Sequence, residues 1–163
     1  STGGFTDVLL QHRAAQVVGV DVGQGQLHPR LRTDARVVSI EKCNARDLTP
    51  QQLVAAGGQA AAAPFDLIVG DLSFISQTLV WPALLPLLRP RGHLLMLVKP
   101  QFELQPQQIG KGGIVREPAL YEQVQQRLRD ACNALGLTLL DWFESAVVGG
   151  DGNREFFIFC SKE

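Results

Sequence analysis

The sequence predicts an α/β protein built on a mostly parallel, doubly wound sheet. Two observations carry that expectation. Short, continuously apolar runs recur along the chain with helical patterns between them, as in parallel strands covered by helices on both faces. Three of the first four runs end directly on a charged residue: Asp21, Asp71 and Lys99.

In chain order, Thr6 is expected to cap a first helix that reaches Arg13, with Val8, Leu9 and Leu10 as its apolar residues. Residues 17–20 are a buried strand ending at Asp21, and residues 37–40 a second strand followed by the turn at 43–47. Thr49 with Gln52 three residues later is a capping-box pattern that opens another helix. The Ala-rich residues 57–63 read as a loose connection. Residues 65–70 form a third strand ending at Asp71. A Pro-punctuated helical stretch at 79–88 is closed by a turn at 89–92. Residues 93–98 are a fourth strand ending at Lys99. The clearest helix has Pro118 in its first turn and repeats Leu120, Val124, Leu128, Ala131 and Leu135 before a capping Gly136. Two late strands, at 137–142 and 155–160, complete the sheet.

At 163 residues with 45% hydrophobic content, the chain is sized for one globular domain, and wholesale disorder is excluded. A net charge of -1 excludes a strongly basic module that holds nucleic acid by charge alone. Cys43, Cys132 and Cys160 show no CxxC and no His at ligand spacing, so neither a disulfide framework nor a zinc site is indicated, and a reducing cytosol is the default. His12, His28 and His93 have no metal or triad spacing and read as structural or exposed. No signal-peptide pattern is visible, and the uncharged stretch 72–88 contains Pro82 and Pro86, a poor membrane span. Ser73 and Ser76 lack the GxSxG elbow of a hydrolase. The chain opens on Ser1 without Met and reads as a trimmed domain.

Ligands of open α/β sheets sit outside the carboxyl ends of the strands. Asp21, the Asn44–Asp47 turn, Asp71 and Lys99 all fall at such ends. The glycine-rich opening at residues 2–6 permits close approach of a ligand to the backbone before a helix, or is a simple glycine turn. It is neither GxGxxG nor a P-loop. Asp21 can accept both hydroxyls of an adenosine ribose, or can be a solvated turn residue. Asn44 can face an adenine edge or serve as plain turn chemistry. Asp71 and Lys99 are too costly to bury unpaired, and Glu155 adds a third charge after the turn at 149–153. A lysine between two carboxylates makes a compact polar triad, reactive or purely structural. Since the chain has only four lysines, Lys99 inside an apolar run stands out.

Seven segments, in order, match a known family: residues 1–7, 20–27, 44–49, 70–76, 97–103, 110–113 and 152–157. On these the chain resembles the TlyA haemolysin-like family of ribosomal RNA 2′-O-methyltransferases, relatives of the FtsJ/RrmJ-type enzymes. The resemblance implies a Rossmann-like S-adenosyl-L-methionine domain over residues 1–163, with an antiparallel last strand. It implies that Gly3, Gly4, Phe5 and Thr6 line the methionine part of the cofactor. Asp21, with Val22 beside it, would hold the ribose, and Asn44 and Ala45 would border the adenine. Asp71, Lys99 and Glu155 would be three members of the family's Lys-Asp-Lys-Glu catalytic set, with Asp71 also close to the sulfonium. The family's first lysine, its first central strand and its RNA-binding domain would precede residue 1, so the chain is expected to be truncated at its N-terminus. Ribosomal RNA as partner also follows from the resemblance; a cytoplasmic location and no membrane or metal are expected from the cysteine and histidine pattern and the poor span above, and oligomeric state is left open.

Lys99 is the expected group at the acceptor hydroxyl. Two carboxylates favour its ammonium form, so it would mainly orient and polarise the hydroxyl, with proton loss late or concerted. Four other readings stay open: an amino-group methyltransferase, a nicotinamide-binding domain, a pore-forming haemolysin, and a cofactor-binding fragment without activity. Asp71-Leu72-Ser73-Phe74 replaces the Asn/Asp-Pro-Pro-Tyr/Phe of the first, and the glycine spacing disfavours the second. Arg30, Arg32, Arg36 and Arg46, and separately Lys111, Arg116 and Arg154, are candidate RNA-facing groups or a solvated mixed-charge surface. The loop 110–113 is a lid or a linker.

Overall fold

Helix and strand alternate along the chain in the computed structural model, which describes residues 1–163. The chain divides into two compact units, Ser1–Pro64 and Phe65–Glu163.

The first unit contains α1 (Gly4–Gln11), β1 (Val17–Val20), α2 (Pro29–Arg32), β2 (Val37–Ile40) and α3 (Pro50–Gly57). β1 and β2 pair in parallel, from Val17 opposite Val37 to Val20 opposite Ile40. Leu10 of α1, Val17 of β1 and Leu31 of α2 form the buried centre of this unit. The capping box at α3 forms as predicted: the Gln52 N–H donates to Thr49 Oγ1 at 3.1 Å and the Thr49 N–H to Gln52 Oε1 at 2.9 Å.

Two expectations change here. α1 begins at Gly4, so its cap is Gly3 at φ 100° and Thr6 lies inside the helix. A side chain at Gly3 would be strained at that φ, and its Cβ would stand 2.5 Å from a Leu31 methyl. The Ala-rich connection is also packed rather than loose: Gln59–Ala61 form a 3-10 turn with Ala61 buried. α2 was not anticipated; at one turn it is too short to show a period, and His28 caps it with Pro29 following.

The second unit contains β3 (Phe65–Asp71), α4 (Gln77–Leu84), β4 (Leu88–Val98), α5 (Pro118–Ala134), β5 (Leu137–Glu144) and β6 (Phe156–Lys162). The sheet order is β3-β4-β6-β5. β3 and β4 are parallel, and β6 runs antiparallel to both of its neighbours, as expected of the last strand. The predicted turn at 89–92 lies within the β4 ladder. Phe65 pairs with Leu88 but Leu67 with His93, so the intervening residues bulge out, with Arg91 at φ 60°.

Burial on both faces holds for the interior strand β4: Leu94, Met96 and Val98 are buried on one face, and Leu97, beside the half-buried Leu95, on the other. It fails for β3, which is paired on one side only and leaves Leu67 38% exposed. α5 buries Val124 and Leu128 as predicted, but the next buried position is Cys132 rather than Ala131, and Leu120 and Leu135 are only partly buried. Cys132 and Cys160, far apart in sequence, meet in this core as free thiols, Sγ to Sγ 3.4 Å. No helix is long and apolar enough to cross a membrane.

Candidate active site

In the first unit, the predicted cofactor residues Asp21, Val22, Asn44 and Ala45 follow the carboxyl ends of β1 and β2. The parallel ladder continues past the strands: the Asp21 N–H donates to Ile40 O, and the Cys43 N–H to Asp21 O, both at 3.0 Å. This fixes the Asp21–Val22 turn beside the Asn44–Ala45 turn. Asp21 Oδ1 accepts the Gly23 N–H at 2.8 Å, and the Ser1 backbone nitrogen donates to Oδ2. Ser1 also donates to Gln26 Oε1 at 2.8 Å, which brings the glycine segment to the same end of the unit.

Gly4, Phe5 and Thr6 form the first turn of α1. Nothing lies within 4 Å of the place where a Gly4 side chain would stand. Val22 is 68% exposed. Asn44 uses its Oδ1 to cap the Ala45–Asp47 3-10 turn, accepting the Arg46 N–H at 3.0 Å.

In the second unit, strand register explains the charged cluster. Asp71 ends β3 opposite Leu97 of the parallel β4. Val98 pairs with Phe156, so the antiparallel ladder places Glu155 opposite Lys99. Lys99 Nζ lies 2.7 Å from Asp71 Oδ1 and donates to Ser73 Oγ at 2.9 Å. The Lys99 side chain is only 14% exposed, whereas Asp71 is 46% exposed.

Glu155 departs from the expected triad. It makes no ion pair with Lys99 and is coupled to it through the local field. Burial pushes its carboxyl up, and Asp71 and Asp151 add to that, while Lys99 opposes. Its Oε1 would stand 2.6 Å from a Cβ on Gly149, so that glycine is where the turn admits the carboxylate. The lysine therefore has one carboxylate and one hydroxyl in contact, with the second carboxylate nearby.

Sequence reasoning missed the polar residues beneath this cluster. Glu103 is 3% exposed and accepts Ser76 Oγ at 2.6 Å and the Gln77 N–H at 2.7 Å. Gln77 in turn donates to Leu97 O at 3.0 Å. Asn153, 1% exposed, accepts the Val115 N–H at 2.9 Å and donates to Gly113 O at 2.8 Å. Gln101 donates to Asp151 at 3.0 Å. All of them sit inside or next to the segments that carried the family match, and that was the available signal. Phe74 was also overlooked: it holds φ 63°, is 89% exposed, and lies 5.0 Å from the Phe102 ring.

The basic groups are partly tied down. Arg30 pairs with Asp7 and Arg36 with Asp34, each at 2.8 Å, and Arg154 grips Glu144 through two contacts of 2.7 Å. Arg36 holds the Asp34 carboxyl down at about 2.

The profile of the FtsJ-like methyltransferase family matches residues 1–162. Over 163 residues the chain is 44% identical to the 16S/23S rRNA (cytidine-2′-O)-methyltransferase TlyA of Mycobacterium tuberculosis, covering 100% of this chain and 58% of that protein. It is 38% identical over 156 residues to Hemolysin A of Brachyspira hyodysenteriae, covering 96% and 62%. Among solved structures, a Streptococcus thermophilus protein described as a hemolysin is 40% identical with a TM-score of 0.91, covering 99% of this chain and 56% of that one. The chain thus spans a little over half the length of these relatives. With a match that runs from one end to the other, it belongs to the FtsJ-like methyltransferase family.

Proposed function

We propose that residues 1–163 act as the catalytic domain of an S-adenosyl-L-methionine-dependent methyltransferase whose acceptor is a ribose 2′-hydroxyl of ribosomal RNA in the cytoplasm. The observation that carries this reading is the Asp71–Lys99 pair at the carboxyl ends of β3 and β4, with Glu155 opposite across the ladder. The name of the Mycobacterium tuberculosis relative, which specifies a cytidine 2′-O acceptor, supports it.

The residues of the first unit fit the cofactor. The open space at Gly4 and the first turn of α1 suit its methionine part. The half-buried Asp21 carboxylate is an acceptor of the kind that a ribose diol requires. Val22, Asn44 and Ala45 would border the base. When bound, the cofactor supplies an electrophilic methyl on a sulfonium. The leaving group is thereby already activated, and the protein's task is alignment and removal of one proton. Asp71 holds Lys99 in place, Lys99 takes or polarises the hydroxyl proton, and Glu155 is a second negative charge that favours the ammonium so formed.

The test uses the complete protein with ribosomal subunits and radiolabelled S-adenosylmethionine, followed by mass mapping of ribose methylation. Incorporation at ribose 2′-hydroxyls is expected, and Lys99→Ala lowers turnover by roughly a hundredfold or more while calorimetric cofactor affinity persists. Wild-type turnover in Lys99→Ala would overturn the assignment. Dye release from liposomes without RNA methylation would replace it with the haemolytic reading.

A further inference from the structure

Ser73 touches Lys99 directly, yet it belongs to no part of the catalytic set implied by the resemblance. We infer that Ser73 is a positioning residue: together with Asp71 it fixes the rotation of the Lys99 amino group, so that one direction at Nζ is kept for the acceptor hydroxyl. The inference rests on the methyl transfer proposed above.

The geometry leaves a simple count. A lysine ammonium carries three N–H bonds, and the neutral amine carries two N–H bonds and one lone pair. Asp71 Oδ1 at 2.7 Å and Ser73 Oγ at 2.9 Å take two of the three directions around Nζ. Neither partner can donate to Nζ in its place when Asp71 is ionised and Ser73 accepts. In the neutral amine both N–H bonds are then engaged, and the lone pair has only the third direction. With Asp71 alone, the amine would rotate about its Cε–Nζ bond and the lone pair would have no fixed aim.

The step balances as follows. The acceptor O–H bond breaks and its proton joins the Nζ lone pair, giving the ammonium. The oxygen electron pair forms the new O–CH3 bond. The C–S bond breaks, and its electrons convert the sulfonium into a neutral thioether.

Ser73 is well held for this role. It follows β3 by two residues, and the next residue, Phe74, is kept at φ 63°. The far end of the loop is anchored where Ser76 Oγ and the Gln77 N–H donate to the buried Glu103. Glu103 lies on the loop that leaves β4 at Lys99, closed by the Glu103 N–H to Pro100 O bond at 3.0 Å. The same buried carboxylate therefore ties the serine loop to the lysine loop. A serine that merely solvated a surface lysine would need no such anchor, and Lys99 is 14% exposed.

The complete protein carrying Ser73→Ala, Ser73→Thr or Lys99→Ala tests this. Loss of one hydrogen bond to a charged group predicts that Ser73→Ala lowers kcat by about tenfold or more. KM for RNA and cofactor affinity by calorimetry stay at wild-type values. Ser73→Thr, which keeps Oγ, recovers most of the loss. In the protein without cofactor, acetylation of Lys99 by acetic anhydride, read by peptide mass spectrometry, rises severalfold in Ser73→Ala. Unchanged kcat in Ser73→Ala beside an inactive Lys99→Ala overturns the role of Ser73 and leaves the methyltransferase reading standing. Equal losses in Ser73→Ala and Ser73→Thr, or a parallel loss of cofactor affinity, overturn it in favour of a purely structural role. Full turnover in Lys99→Ala removes the reading itself and this inference with it.

Discussion

Residues 1–64 and 65–163 furnish their strand ends with functional groups in different ways. All four buried polar residues, Ser76, Gln77, Glu103 and Asn153, lie in the second unit. The first has none and shapes its loops with backbone: a left-handed Gly3, a ladder that runs on through Asp21, and a 3-10 turn capped by Asn44. Loops built this way present amides and a half-exposed carboxylate, which suits group-by-group contact with a small molecule. The second unit instead holds a few charged atoms at fixed separations through a buried hydrogen-bonded framework, which is what a proton-transfer site needs. The difference predicts that substitutions at strand ends cost binding in the first unit and folding or turnover in the second.

Glu103→Ala is the severest way to break that contrast. It leaves the Gln77 N–H buried without its acceptor, leaves Ser76 Oγ with Thr78 Oγ1 alone as a possible acceptor, and removes a side chain that is 3% exposed. A loss of ~3 kcal/mol is expected, the range for an unpaired buried polar network. Urea unfolding of the variant against wild type measures it. Glu103→Gln keeps one acceptor and should lie between them. If Glu103→Ala unfolds at the wild-type midpoint, the framework is decorative and the contrast between the units collapses.

Asp21→Asn sharpens the other side. Asp21 is partly exposed and its Oδ1 accepts the nearby Gly23 N–H, so its loss should barely move the unfolding midpoint. Affinity for S-adenosylmethionine should fall about tenfold, the worth of a charge-assisted hydrogen bond to a ligand hydroxyl. Calorimetry with the complete protein decides. A variant that melts early but binds normally would show that Asp21 serves the fold.

How much of this could be read from the sequence follows the same division. Strands with continuous apolar runs and helices with a sustained period were legible, as were the Thr49–Gln52 capping box and the Pro118–Ala134 helix. Their signals are local. Asp71, Lys99 and Glu155 were legible as strand-end residues because the topology of one sheet alone puts such residues near one another, and Asp21 was legible as the end of β1. The start of α1 was not, because the choice between Gly3 and Thr6 as cap depends on Leu27 and Leu31 pressing on Gly3 from more than twenty residues away. Glu103 and Asn153 were illegible for a like reason. A carboxylate next to Phe102 carries no mark of burial until Ser76 and Gln77 are seen to converge on it. The expected triad was partly wrong at Glu155 because register predicts neighbours but not whether their side chains touch.

Glu155→Gln is the smallest and most discriminating change, since it asks whether a functional charge is held against the interest of the fold. Burial, Asp71 and Asp151 raise the Glu155 carboxyl above its unfolded value, with Lys99 opposing. A raised carboxyl means that the folded protein binds that proton more tightly than the unfolded chain. Stability is then highest below the ordinary carboxylate range and declines as pH rises through the window up to the raised value. Glutamine has no proton to lose, so the variant should melt somewhat higher than wild type at neutral pH, with the gap closing as the pH is lowered through that window. Thermal midpoints collected from neutral to acid pH give the sign directly, and methyl transfer by the same variant should fall. A lower midpoint at neutral pH would mean that attraction to Lys99 outweighs burial. Glu155 would then stabilise the second unit as the rest of its polar framework does, and the strain would have to be sought elsewhere, at the strained backbone of Phe74.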